Sequence, residues 1–209
     1  MALAAALLAV LGLRNRRAAI AALTVGLGLI AILLIAGTAW LPGALSERVS
    51  GLSSYVAGPN PARTEITDDN FAVLERLAHW QVGWRMFEDH PWTGVGIGNF
   101  GPEYEHYAPA HWYEPLGHAH NIFINFMAET GILGLIAFLL FWLGALRLAW
   151  RYAGGLQGFP AALAIGVFGT LAYLTVHSLF DSLFVQHMQL QLALLLGGVA
   201  ALGMTKAES

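Results

Sequence analysis

The sequence of 209 residues contains no cysteine and few charges, since only 11% of its residues are Asp, Glu, Lys or Arg. The absence of cysteine excludes a disulfide framework and suits an envelope compartment, where stray thiols are a liability. The net charge of −3 and the lack of a long Lys/Arg-rich run give no reason to expect nucleic-acid binding. By contrast, 57% of the residues are hydrophobic, and they gather in runs of about 20, the length of a membrane-spanning helix. The composition therefore predicts an all-α, multi-pass membrane protein.

The hydrophobic runs predict four or five membrane-spanning helices. The first apolar stretch, residues 1–13, is shorter than the roughly 20 residues that a span needs. Its arginines follow it, whereas the charges of a signal peptide come first. This pattern is typical of the tail of a helix, so we expect the chain to be a fragment of a longer protein. The full-length spans are predicted at residues 18–41, 121–146, 159–180 and 184–203.

Lysine and arginine orient these predicted helices. The arginines between residues 14 and 17, together with Arg147, Arg151 and Lys206, fall on one side of the membrane, which the positive-inside rule makes cytoplasmic. The polar segment after the first full span then faces outward, toward the periplasm. The chain therefore divides into N-terminal membrane helices at 1–41, a large periplasmic loop at 42–120 and C-terminal membrane helices at 121–209.

Within the external loop, residues 67–91 predict an amphipathic helix that ends at Asp89, His90 and Pro91. Apolar side chains recur along it at alternating spacings of four and three, which places them on one face. Because tryptophan favours the membrane–water boundary, this face could lie along the membrane interface. Its members are Val73, Leu77, Trp80, Trp84 and Phe87.

A glycine-rich run, GVGIGNF at residues 94–100, follows this helix. Glycine lets backbone amides approach an anion, which would suit phosphate binding. However, the run has neither the preceding hydrophobic strand nor the Lys-Ser/Thr ending of a nucleotide-binding loop. A compact turn that orders the external loop explains the same residues, so the sequence leaves both interpretations open.

Polar residues mark the start of the predicted span that follows the loop. Asn121, Asn125 and Glu129 are spaced by four and share one helical face, and two histidines, His118 and His120, stand at its outer end. An ionisable group within a membrane is costly unless it faces a partner or water, so Glu129 is a candidate functional residue. Alternatively, Glu129 pairs with a basic residue and fixes the packing of its helix.

Two sequence motifs resemble those of the bacterial O-antigen ligase and O-antigen polymerase superfamily. His120 and Asn121, followed after nine residues by GILG at 131–134, resemble its His-Asn/Ser/Gln, nine, Gly-x-x-Gly signature. Upstream, ERLAHWQVGWRMFEDHPWTGVGIGNF resembles the companion stretch of that superfamily. In that stretch, an arginine opens an amphipathic helix that ends in a His-Pro turn and a Gly-x-Gly-x-Gly-Asn-Phe run. Together the two motifs span residues 75–140.

The resemblance implies a C-type glycosyltransferase-like enzyme at the outer face of the bacterial inner membrane. Such an enzyme moves a glycan from an undecaprenyl diphosphate carrier to a hydroxyl of a lipid, polysaccharide or protein acceptor, without a cofactor. Arg76 occupies the family's arginine position, where a fixed charge stabilises the diphosphate leaving group. His120 is the candidate catalytic base, and Glu129 or Asn121 would orient it or its helix. The residues expected to bind the diphosphate or the glycan are Arg48, Arg85, His79, Asn121, Asn125, Gly96 and Asn99.

Other functions fit parts of the same pattern. A polysaccharide polymerase of the same superfamily would share both motifs, and a truncated, non-catalytic membrane partner would retain them without activity. His118 and His120 with a carboxylate would suit a metal ion, although the resemblance does not call for one. Transport along the polar face is a further alternative, but a transporter more often carries paired charges in several spans.

Overall fold

The computed structural model of the chain describes residues 58–155, 157–182 and 188–207, with scattered positions before residue 44. These residues form helices and no strand, which confirms the predicted all-α fold for this part of the chain. Most of the predicted span at 18–41, and the candidate Arg48, lie outside the described residues. The helices are α1 (Phe71–Asp89), α2 (Phe100–Tyr107), α3 (Ile122–Gly155), α4 (Gly158–His177) and α5 (Met188–Ala207).

Two of these helices are long and apolar enough to cross a membrane, namely α3 with 34 residues and α4 with 20. The apolar part of α5, Met188–Ala201, is shorter than the roughly 20 residues of a typical span. The helices therefore support a membrane protein, whereas the number of four or five spans stays a prediction.

The chain forms two compact units, one of which comprises residues 1–25 and 136–209. Its core alternates small side chains with larger ones, and small residues let helix backbones approach closely. Trp142 Nε1 donates a hydrogen bond to Thr175 Oγ1 at 2.7 Å, which links α3 to α4 and satisfies two polar groups where lipid could not. The buried side chains of this core include Ala145, Ala149, Ala164, Val167 and Leu171.

The other unit comprises residues 26–135 and is called here the loop unit. In it, α1 buries the side opposite the apolar face that the sequence places at the membrane interface. The predicted face, with its large tryptophans, is only partly buried or, at Trp84, exposed. Small residues such as Ala78 and Gly83 leave room on the opposite side, where the side chains of Ile124 and Phe100 pack closely against Gly83. The face that is buried carries Leu74, Ala78, His79, Val82, Gly83 and Met86.

Helix α3 is interrupted at Gly131, whose φ of 62° and ψ of −164° lie far from helical values. The interruption deprives the carbonyls before it, and the amides after it, of their partners one turn away. On the carbonyl side, Ala128 O accepts from Val95 N–H and Glu129 O accepts from Gly96 N–H, both at 2.9 Å. The glycine-rich run therefore completes the hydrogen bonding of the first part of α3.

On the amide side of the interruption, the residues just before the glycine-rich run provide the acceptors. Ile132 N–H donates to Pro91 O at 2.9 Å, and Leu133 N–H donates to Trp92 O at 3.5 Å. Each backbone group left unpaired away from water would cost about 1–3 kcal/mol. The continuous helix that the sequence predicted here is thus corrected to a broken one, because residues 91–96 insert their own backbone into the gap.

Two glycines make this backbone contact possible. A Cβ on Gly94 would overlap the backbone of α3, and a Cβ on Gly131 would overlap the backbone of Trp92. Both glycines also have a positive φ, 66° and 62°, that other residues rarely adopt. These contacts support the interpretation of GVGIGNF as a compact turn, and they show what the turn packs against.

We expect Gly94→Ala and Gly131→Ala to destabilise the loop unit more than Gly98→Ala does. Gly98 also has a positive φ, 80°, but it has open space around it, so its substitution costs only the backbone strain of about 1–2 kcal/mol. At the other two glycines the docked backbones must also separate, and the lost hydrogen bonds add about 2 kcal/mol. Thermal unfolding of the purified protein in detergent measures the difference. Equal midpoints for all three variants would contradict the docking.

Candidate active site

Four rings that carry polar atoms come together in the loop unit. The ring centroids of His118 and His120 lie 4.5 Å apart, those of His120 and His79 lie 5.2 Å apart, and those of His79 and Tyr104 lie 4.8 Å apart. These four residues are called here the histidine cluster. Because His79 belongs to α1, Tyr104 to α2 and the other two to the loop before α3, the cluster brings the two sequence motifs together.

His120 has a left-handed backbone conformation, with a φ of 50°. A residue other than glycine pays about 1–3 kcal/mol for such a conformation, which persists only where the surrounding structure imposes it. Its own N–H points to His118 Nδ1 at 3.4 Å. Strained residues of this kind concentrate at functional sites, so the geometry agrees with the choice of His120 as the central candidate.

Two asparagines impose the conformation of His120 from either side. Asn125 Oδ1 accepts a hydrogen bond from Ala119 N–H at 3.0 Å, which holds the loop just before His120. Asn121 Oδ1 accepts from the N–H groups of the second and third residues of α3, at 2.9 and 3.1 Å, which caps the helix just after it. These contacts position the backbone of the candidate base, in line with the predicted orienting role of Asn121, and the binding of substrate by Asn121 and Asn125 stays a prediction.

His79 is a buried histidine in the neutral state. Its side chain is 1% exposed, and its Nδ1 lies 2.8 Å from Glu75 O. A carbonyl oxygen only accepts, so Nδ1 carries a proton and Nε2 of the neutral ring is an acceptor, for which the described part of the chain provides no hydrogen-bond partner. Burial lowers the pKa of His79, a shift that Glu75 O opposes and His118 increases. The ring of His79, which lies beside that of His120 in the histidine cluster, is therefore kept uncharged.

Tyr104 is the member of the cluster that sequence analysis missed. Its side chain is fully buried, its hydroxyl has no hydrogen-bond partner among the described residues, and burial together with the charge of Glu75 raises its pKa to about 12. The hydroxyl is therefore protonated at any physiological pH and is available as a donor. The only sequence signal for it is the spacing of four between Phe100 and Tyr104, which places both rings on the same face of α2.

Two charged residues from other helices contact the backbone at the ends of α2. Glu129 Oε1 accepts from Phe100 N–H at 3.3 Å at the first turn, and Arg85 Nη1 donates to Tyr107 O at 2.8 Å at the last residue. A helix favours negative charge at its N-terminus and positive charge at its C-terminus. Glu129 and Arg85, predicted as a catalytic and a substrate-binding residue, thus both contact the backbone of α2, which carries Tyr104.

Arg76 is the arginine that lies closest in sequence to the cluster. It precedes His79 by three positions and so shares its side of α1, and it is half-buried, with Nη1 donating to Ala72 O at 2.8 Å. Because Arg85 is engaged with α2 and Arg48 lies outside the described residues, Arg76 is the strongest arginine candidate in the described part of the loop unit.

Gly96 and Asn99, two further candidates from the sequence, have contacts within the glycine-rich run. Asn99 Nδ2 donates to Val95 O at 2.9 Å, and Asn99 N–H donates to Gly96 O at 3.1 Å. Gly96 N–H already donates to Glu129 O in the gap of α3. These groups stabilise the turn, and a bound phosphate would have to compete with them for the Gly96 amide.

We expect His79 to make the loop unit sensitive to acid. The pKa of His79 is lowered from 6.5, so the unfolded chain binds the proton more readily than the folded one. The stability contributed by neutral His79 is present above pH 6.5 and is lost as the pH falls below it toward the folded pKa. His79→Gln keeps a donor for Glu75 O without titrating, so it should reduce the loss of unfolding free energy between about pH 7 and 5.

Chemical unfolding at a series of pH values measures this effect. His106→Gln is the matched control, because His106 lies on α2 with an exposed side chain. An unchanged pH dependence in His79→Gln would contradict the assignment of a buried, neutral His79.

The sequence of the chain matches a known protein family. A family profile described as O-antigen ligase matches residues 1–139 of the 209, a range that includes the histidine cluster, Arg76 and the interruption of α3. A comparison with curated proteins gave no match. Because the match covers about two thirds of the chain and both of its motifs, the resemblance is confirmed, and the chain belongs to the O-antigen ligase family.

Proposed function

We propose that the loop unit carries the active site of a membrane glycosyltransferase. It moves a glycan from undecaprenyl diphosphate to an acceptor hydroxyl at the periplasmic face of the inner membrane. Membership of the O-antigen ligase family supports a role in ligase or polymerase chemistry. The observation that carries the proposal is the strained backbone of His120, fixed by two asparagines beside the neutral ring of His79.

The reaction requires a base for the acceptor hydroxyl, and His120 supplies it. The acceptor oxygen attacks the anomeric carbon of the glycan and loses its proton to the imidazole, while the bond from that carbon to the diphosphate oxygen breaks. The bonding electrons leave with the diphosphate, so direct attack inverts the anomeric centre. A hydroxyl of a lipid, a polysaccharide or a protein serves equally as acceptor in this step.

The departing diphosphate gains negative charge, and Arg76 is the residue proposed to stabilise it. A guanidinium group remains charged at all relevant pH values and can donate two parallel hydrogen bonds to phosphate oxygens. Its position three residues before His79 directs it to the side of α1 that carries the cluster. Arg48 remains a second candidate for the same role, and Arg85 is assigned to the support of α2.

His79 is proposed as a positioning residue for His120. The two rings meet edge to face, with an interplanar angle of 81°. A neutral ring at this distance supports the side chain of the base by packing alone, whereas a charged one would repel a protonated His120 after the transfer. The burial of His79 thus serves the proton acceptance that the reaction requires.

We expect His120→Ala and Arg76→Ala to reduce glycan transfer by about 100-fold or more, because each removes a group needed in the transition state. Arg76→Lys should recover part of the loss, since lysine keeps the charge but not the paired geometry. Transfer is measured in membranes that contain the complete protein, with lipid-linked glycan and acceptor added.

Matched controls for these variants are His106→Ala and Arg63→Ala, which replace the same residue types at exposed positions of the loop unit. All variants should insert into the membrane in normal amounts. A normal transfer rate in either His120→Ala or Arg76→Ala would show that the role assigned to that residue is wrong.

We expect chelation with EDTA to leave the transfer rate unchanged. The proposed step uses a histidine base and a guanidinium group, and it assigns no charge stabilisation to a metal ion. The assay compares treated and untreated membranes at equal substrate concentration, with Mg²⁺ or Zn²⁺ added back. Loss of activity that a divalent cation restores would favour the alternative of a metal site at His118 and His120.

A further inference from the structure

Three large apolar side chains of the loop unit are exposed close to one another in sequence. Trp92 is 68% exposed and Ile97 is 84% exposed, and both belong to residues 91–98, the segment that pairs with the interruption of α3. Trp84, which is 52% exposed, lies near the end of α1 that leads into this segment. Exposed groups of this size on a soluble surface usually mark an interaction site.

The length of α3 indicates where the membrane boundary lies. Beyond the interruption, residues 132–155 form 24 helical residues, which extend about 36 Å at 1.5 Å per residue. This length exceeds the roughly 30 Å of a hydrocarbon core, so this part of α3 can span the membrane without the part before Gly131. Residues 132–146 contain no charge, and Arg147 and Arg151 follow, as expected near the opposite boundary. The interruption therefore lies at the outer boundary of the bilayer.

The backbone of the exposed segment is suited to that depth. An irregular segment at a membrane boundary is tolerated only where its polar groups have partners. Pro91 O and Trp92 O accept hydrogen bonds from α3, and the N–H groups of Val95 and Gly96 donate to it. The segment can thus enter the interface without exposing these groups to lipid. Tryptophan is also the side chain most favoured at this depth, because its ring is apolar and its N–H is polar.

We propose that residues 91–98 are a membrane anchor, in which Trp92 and Ile97, together with Trp84, insert into the interface of the outer leaflet. The partner is the lipid surface, because this segment is hydrogen-bonded to a helix that is long enough to span the membrane. The anchor extends the earlier prediction, which assigned the membrane face to α1 alone, to the turn between α1 and α2.

The anchor also fixes the distance of the histidine cluster from the membrane boundary. The role given to this distance rests on the proposed function. The nine residues of α3 before Gly131 extend about 14 Å, and the two residues that lead back to His120 add up to about 7 Å, so His120 stands within about 21 Å of the boundary. The headgroup region is about 5–8 Å deep on each side of the hydrocarbon core, and the diphosphate of a lipid-linked glycan is itself a headgroup. A donor anchored by its lipid chain would therefore present its reacting bond within the same zone outside the boundary that contains His120.

The test uses the complete absence of cysteine from the chain. Single cysteines at positions 92 and 97 are labelled with an environment-sensitive fluorophore, and the protein is reconstituted into phosphatidylcholine vesicles. Asp68→Cys is the control, because Asp68 is an exposed charged residue of the loop unit that must face water. Quenching is measured with nitroxide groups on shallow acyl positions of the lipid and, separately, with aqueous iodide.

Labels at 92 and 97 should be quenched by the lipid nitroxide and protected from iodide, and the label at 68 should behave in the opposite way. Quenching by iodide at 92 and 97, as strong as that at 68, would overturn the anchor. Protection from both quenchers at these positions would also overturn it, in favour of a protein contact. The unfolding midpoint confirms that each variant is folded. Because transfer is not measured, the result is independent of whether the proposed reaction is correct.

Discussion

The exchange of backbone hydrogen bonds at Gly131 is the interaction on which the rest of the loop unit depends. A helix that stops and restarts within an apolar segment leaves carbonyls and amides without partners, and residues 91–96 supply partners on both sides of the gap. Because α1 ends two residues before this segment and α2 begins four residues after it, the same bonds fix both helices against α3. The positions of His79 and Tyr104 therefore follow from the gap.

The charges of the loop unit extend this arrangement from the backbone to the helix ends. Glu129 lies next to the gap and binds the first turn of α2, while Arg85 of α1 binds its last carbonyl. A helix of eight residues is too short to be stable alone, so contacts at both ends account for its formation. The acidic residue Glu129 thus supports a neighbouring helix, while its predicted catalytic role stays a prediction.

His120 is another position where neighbouring side chains hold an unfavourable backbone conformation. Its left-handed backbone is unfavourable, and asparagines on both sides offset the cost by using their side-chain oxygens as acceptors for the loop and for α3. In the proposed reaction, a base that is held in place before the substrate arrives loses little freedom, which lowers the barrier to proton transfer. The neutral ring of His79 adds packing without adding charge.

Several features of the protein follow from local patterns along the chain. Hydropathy identified α3 and α4 as apolar helices, periodicity placed α1 within residues 67–91, and the two motifs identified the family. Local patterns also selected His120, because its place in the motif is a matter of spacing along the chain. These properties could be predicted since each arises from residues within one helix or one turn.

The hydrogen-bond partners of these helices depend instead on the tertiary structure. In the sequence, a glycine in an apolar run has the same pattern around it whether it contacts another helix or interrupts its own. The segment that fills the gap at Gly131 lies some 35 to 40 residues earlier in the chain. For the same reason, the sequence could not predict three contacts of the loop unit. These are the contact of Glu129 with Phe100, that of Arg85 with Tyr107 and that of the buried Tyr104 with His79. Hydrogen bonds across such distances depend on which surfaces meet in three dimensions, and spacing along the chain does not specify this.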